Sequence, residues 1–151
     1  MRLRRAAVAD LERVVVLQRA AYDRNRALLG VEPMPLTANY AEIFGSKEVW
    51  LAESDCTLDG VLMLEPRPDD LLIWSIAAAP EAQKKGVGRT LLAAAEDRAH
   101  EIGRDTIRLY TGTRLTHLVA WYRRHGYATE RLEELPDRSI THMVKRLPVT
   151  G

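Results

Sequence analysis

Cysteine is almost absent: Cys56 is the only one in 151 residues, which excludes an intrachain disulfide and limits a zinc site to one thiolate ligand. An excess of charge of one sign is missing as well. The 22 Lys and Arg stand against 21 Asp and Glu, a formal net charge of +1, so bulk electrostatics give no reason to expect a nucleic-acid surface. No uninterrupted apolar run approaches the roughly 20 residues that a membrane helix needs. The basic start Met1-Arg2-Leu3-Arg4-Arg5 is not followed by the apolar stretch of a secretory signal. A soluble, cytoplasmic protein is expected, with neither nucleic acid nor membrane as partner. Ser-, Gly- or Pro-rich linkers, repeats and low-complexity tracts are lacking too. Since 151 residues suit one ordinary domain, residues 1–151 are read as a single unit.

What is present is a hydrophobic fraction of 46%, enough for a core, distributed with clear periods. Residues 2–5 read as a short edge strand, and 10–25 as an amphipathic helix with Asp10 as its N-cap or a first-turn residue. Pro33 and Pro35 interrupt regular structure before a short helix at 39–44. Strands at 48–54 and 60–65 flank a turn around Cys56, which is read as an incidental loop residue. The continuous apolar run 71–79, between Asp69-Asp70 and Pro80, reads as a central strand buried on both faces. From Gly86 the period changes: Val87, Leu91, Ala95 and Ala99 recur every four residues, predicting a helix over 86–102 that Gly103 ends. A strand at 106–110, a helix at 116–126 and strands at 127–131 and 140–146 complete the order β-α-α-β-β-β-α-β-α-β-β. The fold class is α+β, a mixed and mostly antiparallel sheet with one central parallel crossover and flanking helices.

The break between the central strand and the long helix is Gln83-Lys84-Lys85-Gly86-Val87-Gly88. Gly86 and Gly88 have no β-carbon, so a phosphorylated ligand can approach the main chain. The helix start adds unpaired N–H groups and a partial positive potential, and Lys84, Lys85 and Arg89 add mobile charge. A glycine-containing turn of this kind is common without any ligand. The pattern is not a P-loop, since no Gly-Lys-Ser/Thr ending follows, and the glycines do not come after the first strand as in a dinucleotide site.

Ile76-Ala77-Ala78-Ala79-Pro80 followed by Gln83-Lys84-Lys85-Gly86-Val87-Gly88 resembles the central motif of the GCN5-related N-acetyltransferase (GNAT) superfamily, Gln/Arg-x-x-Gly-x-Gly/Ala; Gln83, Gly86 and Gly88 fit it. Met143-Val144-Lys145-Arg146-Leu147 resembles the family's closing strand, and the likeness in element order runs from about Arg4 to Leu147. The resemblance implies the GNAT acyl-CoA N-acyltransferase fold and direct transfer of an acetyl group from acetyl-CoA to a primary amine of a small molecule or peptide. It implies that main-chain groups at Ile76 and Ala78 pair with the pantetheine arm. Backbone amides at Lys84, Lys85, Gly86, Val87, Gly88 and Arg89, after Gln83, would hold the pyrophosphate. Ala78 stands where a larger valine is often found.

Tyr122, in Ala120-Trp121-Tyr122-Arg123-Arg124-His125-Gly126-Tyr127, is similar to the family's tyrosine, three residues, glycine, aromatic pattern and is the candidate proton donor to the leaving sulfur. Leu118 departs from an asparagine often found four residues earlier. The stretch Ile73-Trp74-Ser75-Ile76 lacks the glutamate that many members carry, so a water route to a backbone carbonyl or distant carboxylate is expected to deprotonate the amine. For the acceptor, Tyr22, Met34, Tyr40 and Trp74 offer apolar contact, and Glu133, Glu134 and Asp137 could attract a cationic amine. His100 is read as solvated, His117 and His125 as flanking the tyrosine helix, and His142 as lying on a late strand; no metal site is expected. The alternative function is an inactive acyl-CoA sensor or interaction domain. Exposed closing strands are compatible with a homodimer, although no feature fixes the oligomeric state.

Overall fold

In the computed structural model, which describes residues 2–29, 39–55 and 57–148 and leaves the side chains of 24–29 and 83–85 outside that description, seven strands form one mixed sheet. They are β1 (Arg2–Arg5), β2 (Glu48–Ser54), β3 (Thr57–Pro66), β4 (Leu71–Ala78), β5 (Thr106–Gly112), β6 (Ala128–Glu134) and β7 (Ser139–Arg146), in the order β1-β2-β3-β4-β5-β7-β6. Every neighbouring pair is antiparallel except β4 with β5. The expected architecture is thereby met, including the single parallel crossover.

Among the described residues four α-helices cover the sheet: α1 (Leu11–Leu29), α2 (Tyr40–Ser46), α3 (Val87–Glu101) and α4 (Thr116–Arg124). α1 and α3 lie on opposite faces, as β3 records. A β-carbon on Gly60 would meet Val87 and Leu91 of α3, whereas Met63, three residues on and therefore on the other face, is reached by Gln18 of α1. The apolar stripe read from the sequence is the buried face of α3, with Val87, Leu91, Ala95 and Ala99 all removed from solvent. An ion pair from Glu96 to Lys145 ties α3 to β7.

Boundaries differ where glycine or proline governs them. Gly86 has φ of 75°, which an α-helix cannot contain, so α3 starts at Val87 and residues Pro80–Lys85 form a 3-10 turn instead. α1 runs to Leu29 rather than 25, since no Gly or Pro occurs before Gly30. The closing hairpin is longer than expected. Pro136 and Asp137 sit inside a tight turn closed by the Leu135 N–H on the Arg138 carbonyl at 2.7 Å, which carries β6 to Glu134. Exposed β6 is the sheet edge and carries Glu130, Arg131, Glu133 and Glu134, charges that discourage further strand pairing. Among the described residues no helix is long and apolar enough to cross a membrane. Cys56 and Met34 lie outside the described residues.

Candidate active site

β4 and β5 pair only from Leu71 with Ile107 to Ile73 with Leu109. Both strands then continue, β4 to Ala78 and β5 to Gly112, with no ladder between them. The divergence begins at a bulge: Leu64 and Met63 of β3 face Ile73 and Ser75, leaving Trp74 as the extra residue. A bulge sends two successive side chains to one face, and here Trp74 and Ser75 both turn toward α1 and α2. Lys47, just beyond α2, places its ammonium 5.6 Å from the Trp74 ring centre. Ser75 Oγ is 2.9 Å from the Tyr22 hydroxyl and accepts from Gln18 Nε2 at 3.0 Å.

The gap between the strands is a cavity of about 770 Å³ that Ile76 and Ala78 of β4 line together with Gly86, Gly88 and Arg89. Past Ile73 the polar groups of β4 have no strand partner on the β5 side. At the cavity's far wall the first helical hydrogen bond of α3 runs from Thr90 N to Gly86 O at 3.1 Å, so the amides of Val87, Gly88 and Arg89 precede the helical ladder. A β-carbon on Gly86 would meet nothing nearer than the Arg89 guanidinium at 3.4 Å, leaving that stretch of main chain open. Gly88 differs. Its missing β-carbon is what allows the Trp121 ring to close on α3, at 3.1 Å from where that atom would stand. Val87 is a core residue under this turn, and Gln83, Lys84 and Lys85 contribute its 3-10 backbone.

Tyr122, 36 residues beyond Gly86 in the chain, reaches the same cavity from α4. It is buried edge-on to Trp121 and Tyr127, with ring centres 5.1 and 5.9 Å away, and its hydroxyl has no hydrogen-bond partner among the described residues. Burial, reinforced by the neighbouring phenols of Tyr22 and Tyr127, pushes its pKa far above the ordinary tyrosine value. Tyr22 is likewise raised by burial, to about 12, with the Ser75 hydrogen bond pulling the other way. Both groups are therefore neutral phenols through the physiological range.

Of the residues expected to contact the acceptor, Tyr22 and Trp74 line the cavity. Tyr40 does not: it is buried beneath α1, where Gln18 Nε2 donates to its hydroxyl at 3.3 Å. Glu133, Glu134 and Asp137 are also displaced from their expected place. No Asp or Glu lines the cavity among the described residues, because each of the three is turned to a local partner. Glu133 meets His142 Nε2 at 2.8 Å, Glu134 accepts from the Ser139 hydroxyl at 2.9 Å, and Asp137 pairs with Arg138 at 3.0 Å. His100 is exposed, and His117 and His125 edge the cavity beside Trp121. Tyr110 and Arg138 are among the lining residues that the sequence did not single out. Strand alternation could have found Tyr110, since Leu109 beside it is core.

Residues 13–127 match the family model described as "Acetyltransferase (GNAT) family". An uncharacterized N-acetyltransferase of Bacillus subtilis (strain 168), YvbK, is 32% identical over 87 residues, which is 57% of this chain and 56% of that protein. The chain thus matches little more than half the length of this relative. Among solved structures, the ribosomal-protein-S18-alanine N-acetyltransferase of Escherichia coli superposes with a TM-score of 0.82 at 16% identity, over 99% of this chain and 96% of that one. PaiA N-acetyltransferase of Thermoplasma acidophilum, in complex with coenzyme A, gives 0.77 at 20% identity over 96% and 98%. At such identities the likeness to the solved structures is one of fold.

Proposed function

Because the chain belongs to the acetyltransferase (GNAT) family, we propose that it transfers an acetyl group from acetyl-CoA directly to a primary amine of a small molecule or peptide. One observation carries the reading: a single cavity joins the open glycine turn at Gly86, the unpaired edge of β4 and the Tyr122 phenol.

The residues present fit such a donor. The left-handed Gly86 and the amides of Val87, Gly88 and Arg89 make a main-chain cradle for a pyrophosphate, with Lys84 and Lys85 contributing backbone from the preceding turn and Gln83 opening it. Main-chain groups at Ile76 and Ala78, on the edge of β4 that β5 leaves free, suit the amides of a pantetheine arm. Acetyl-CoA, when bound, supplies the acetyl group activated as a thioester.

Tyr122 keeps its proton on the phenol oxygen, because burial disfavours the phenolate. In this role it donates a hydrogen bond to the departing sulfur and lets the negative charge develop there. No carboxylate stands in the cavity wall among the described residues, so the incoming ammonium passes its proton to water held against main-chain carbonyls. The Ile76 carbonyl, 3.4 Å from the Tyr22 hydroxyl, is one such acceptor. Tyr22 and Trp74 enclose the amine's apolar part on the face opposite α3.

Isothermal titration tests the donor. Acetyl-CoA and CoA should both bind, and Gly86→Glu, which puts a carboxylate on the cradle, should weaken both by more than tenfold. Correctly folded protein that binds neither, or a variant that binds as well as the parent, would remove the premise.

A further inference from the structure

The cavity's two ends differ in chemistry. Trp121 touches Gly88, and His117 and Arg124 lie on the same stripe of α4 as Trp121, so both belong to the glycine-turn end with Arg89. At the other end, on the sheet face covered by α1 and α2, the wall is Tyr22, Trp74, Tyr110 and Ile140 with one charged side chain, Arg138. Arg138, the residue before β7, lines the cavity together with Ile140. Ile140 and His142 follow it at steps of two along β7, and the His142 ring packs against Tyr110 with centres 5.7 Å apart.

The acids around this end are already engaged. Glu65 meets Lys47 at 3.2 Å and Glu133 meets His142 at 2.8 Å. Asp137 takes one N–H from Nε of Arg138 at 3.3 Å and one from Nη2 at 3.0 Å. Arg138 is mostly buried, with 16% of its side chain accessible against 55% for Asp137. Five N–H bonds fan from a guanidinium, so among the described residues three remain, both on Nη1 and the second on Nη2. A forked set of donors at the end of an aromatic-walled cavity matches a carboxylate.

We propose that Arg138 is the specificity-determining residue for the acceptor, binding a carboxylate, so that the amine acetylated is a small amino-carboxylate with an apolar body. Polyamines are rejected, because a second ammonium finds no carboxylate in the described cavity lining and faces the Arg138 guanidinium, which only the more exposed Asp137 offsets. Apolar amino acids fit both requirements, their side chains packing on Tyr22, Trp74 and Tyr110. This inference rests on the acetyl-transfer reading above.

Thiol release from acetyl-CoA is measured with L-phenylalanine, L-methionine and γ-aminobutyrate, with their carboxamides, and with spermidine. At least one acid should exceed its amide by tenfold or more in kcat/KM, and spermidine should be inert. Arg138→Gln should raise the KM for that acid by about 10- to 100-fold while changing kcat less than about threefold, bringing the acid-to-amide ratio near one. Arg138→Lys, which keeps the charge, should restore part of the preference. Thermal melts establish that both variants fold. Preference for the amides or spermidine, or an acid preference that survives Arg138→Gln, overturns the proposal. Acetyl-CoA that binds without any acid being acetylated overturns the acceptor class and leaves the donor reading standing. Failure to bind acetyl-CoA at all overturns the donor reading beneath it.

Discussion

The Tyr22 hydroxyl lies 2.9 Å from Ser75 Oγ, joining α1 to β4 one residue after the bulge that opens the cavity. Ser75 is also the acceptor for Gln18 Nε2 at 3.0 Å, so one buried hydroxyl serves two helix side chains. Removing it takes a hydrogen bond from each. Ser75→Ala should cost about 1–3 kcal/mol of stability, whereas Tyr22→Phe, which leaves the Gln18 bond in place, should cost about 1 kcal/mol. Urea unfolding of the two variants gives the order directly, and a larger loss for Tyr22→Phe would show that Ser75 is not the hub.

Gly60→Ala should be felt at the Gly86 turn even though Gly60 lies on β3. Its β-carbon would stand 2.6 Å from Val87 Cγ1 and 3.2 Å from the Ala77 carbonyl oxygen, pushing the first turn of α3 away from the sheet. A loss of about 1–3 kcal/mol is expected from this overpacking, together with weaker acetyl-CoA binding. Combining Gly60→Ala with Val87→Ala should restore part of both, a non-additivity that a double-mutant cycle measures.

Tyr122→Phe keeps the ring and removes a hydroxyl that has no partner among the described residues, so stability should move by less than about 0.5 kcal/mol. Turnover is another matter: kcat should fall about 100-fold, with acetyl-CoA affinity little changed. Since burial holds the phenol protonated far above its ordinary range, the parent enzyme's pH profile should show no falling limb from Tyr122 up to about pH 10, where a free tyrosine titrates. Unchanged turnover at saturating substrates would remove Tyr122 from the mechanism.

Asp10 predicts an acid limit for the N-terminal cluster. The Arg4 side chain, at 2.9 Å, and then the Ala7 backbone N–H, at 2.8 Å, hold its pKa down from 3.8 to about 2. A carboxylate with a lowered folded-state pKa stabilises fully above its unfolded value and loses that contribution as pH falls through the folded one. The contribution is therefore complete above about pH 4 and disappears toward pH 2. Asp10→Asn should flatten the stability profile in that window and lower stability at neutral pH. A variant as steep as the parent between those limits would assign the acid sensitivity to other groups.

Local chemistry made most of this fold legible. The unbroken apolar run before Pro80, the four-residue period from Val87 and the glycines that end helices each act within a few residues of themselves, and they specify element order and type. The open main chain at Gly86 was legible for the same reason. What sequence could not convey is which distant groups satisfy each other. Glu133 and Asp137 read as free attractants for an amine, yet each finds a basic partner, one across the β6–β7 hairpin and one next door. Tyr40 read as a wall and is instead drawn into the core by Gln18. Ser75 and Tyr22 are 53 residues apart, and the bulge that turns Ser75 toward α1 leaves no mark in the residue types.

Acetyl transfer is tested most directly by a thiol-release assay with acetyl-CoA and a panel of primary amines, coupled to mass identification of the product. It predicts CoA thiol released in stoichiometric step with an amine that has gained one acetyl group, and loss of both in Gly86→Glu. Acetyl-CoA bound tightly by the parent protein with no thiol released for any amine in a broad panel would contradict it and make the chain a binding domain.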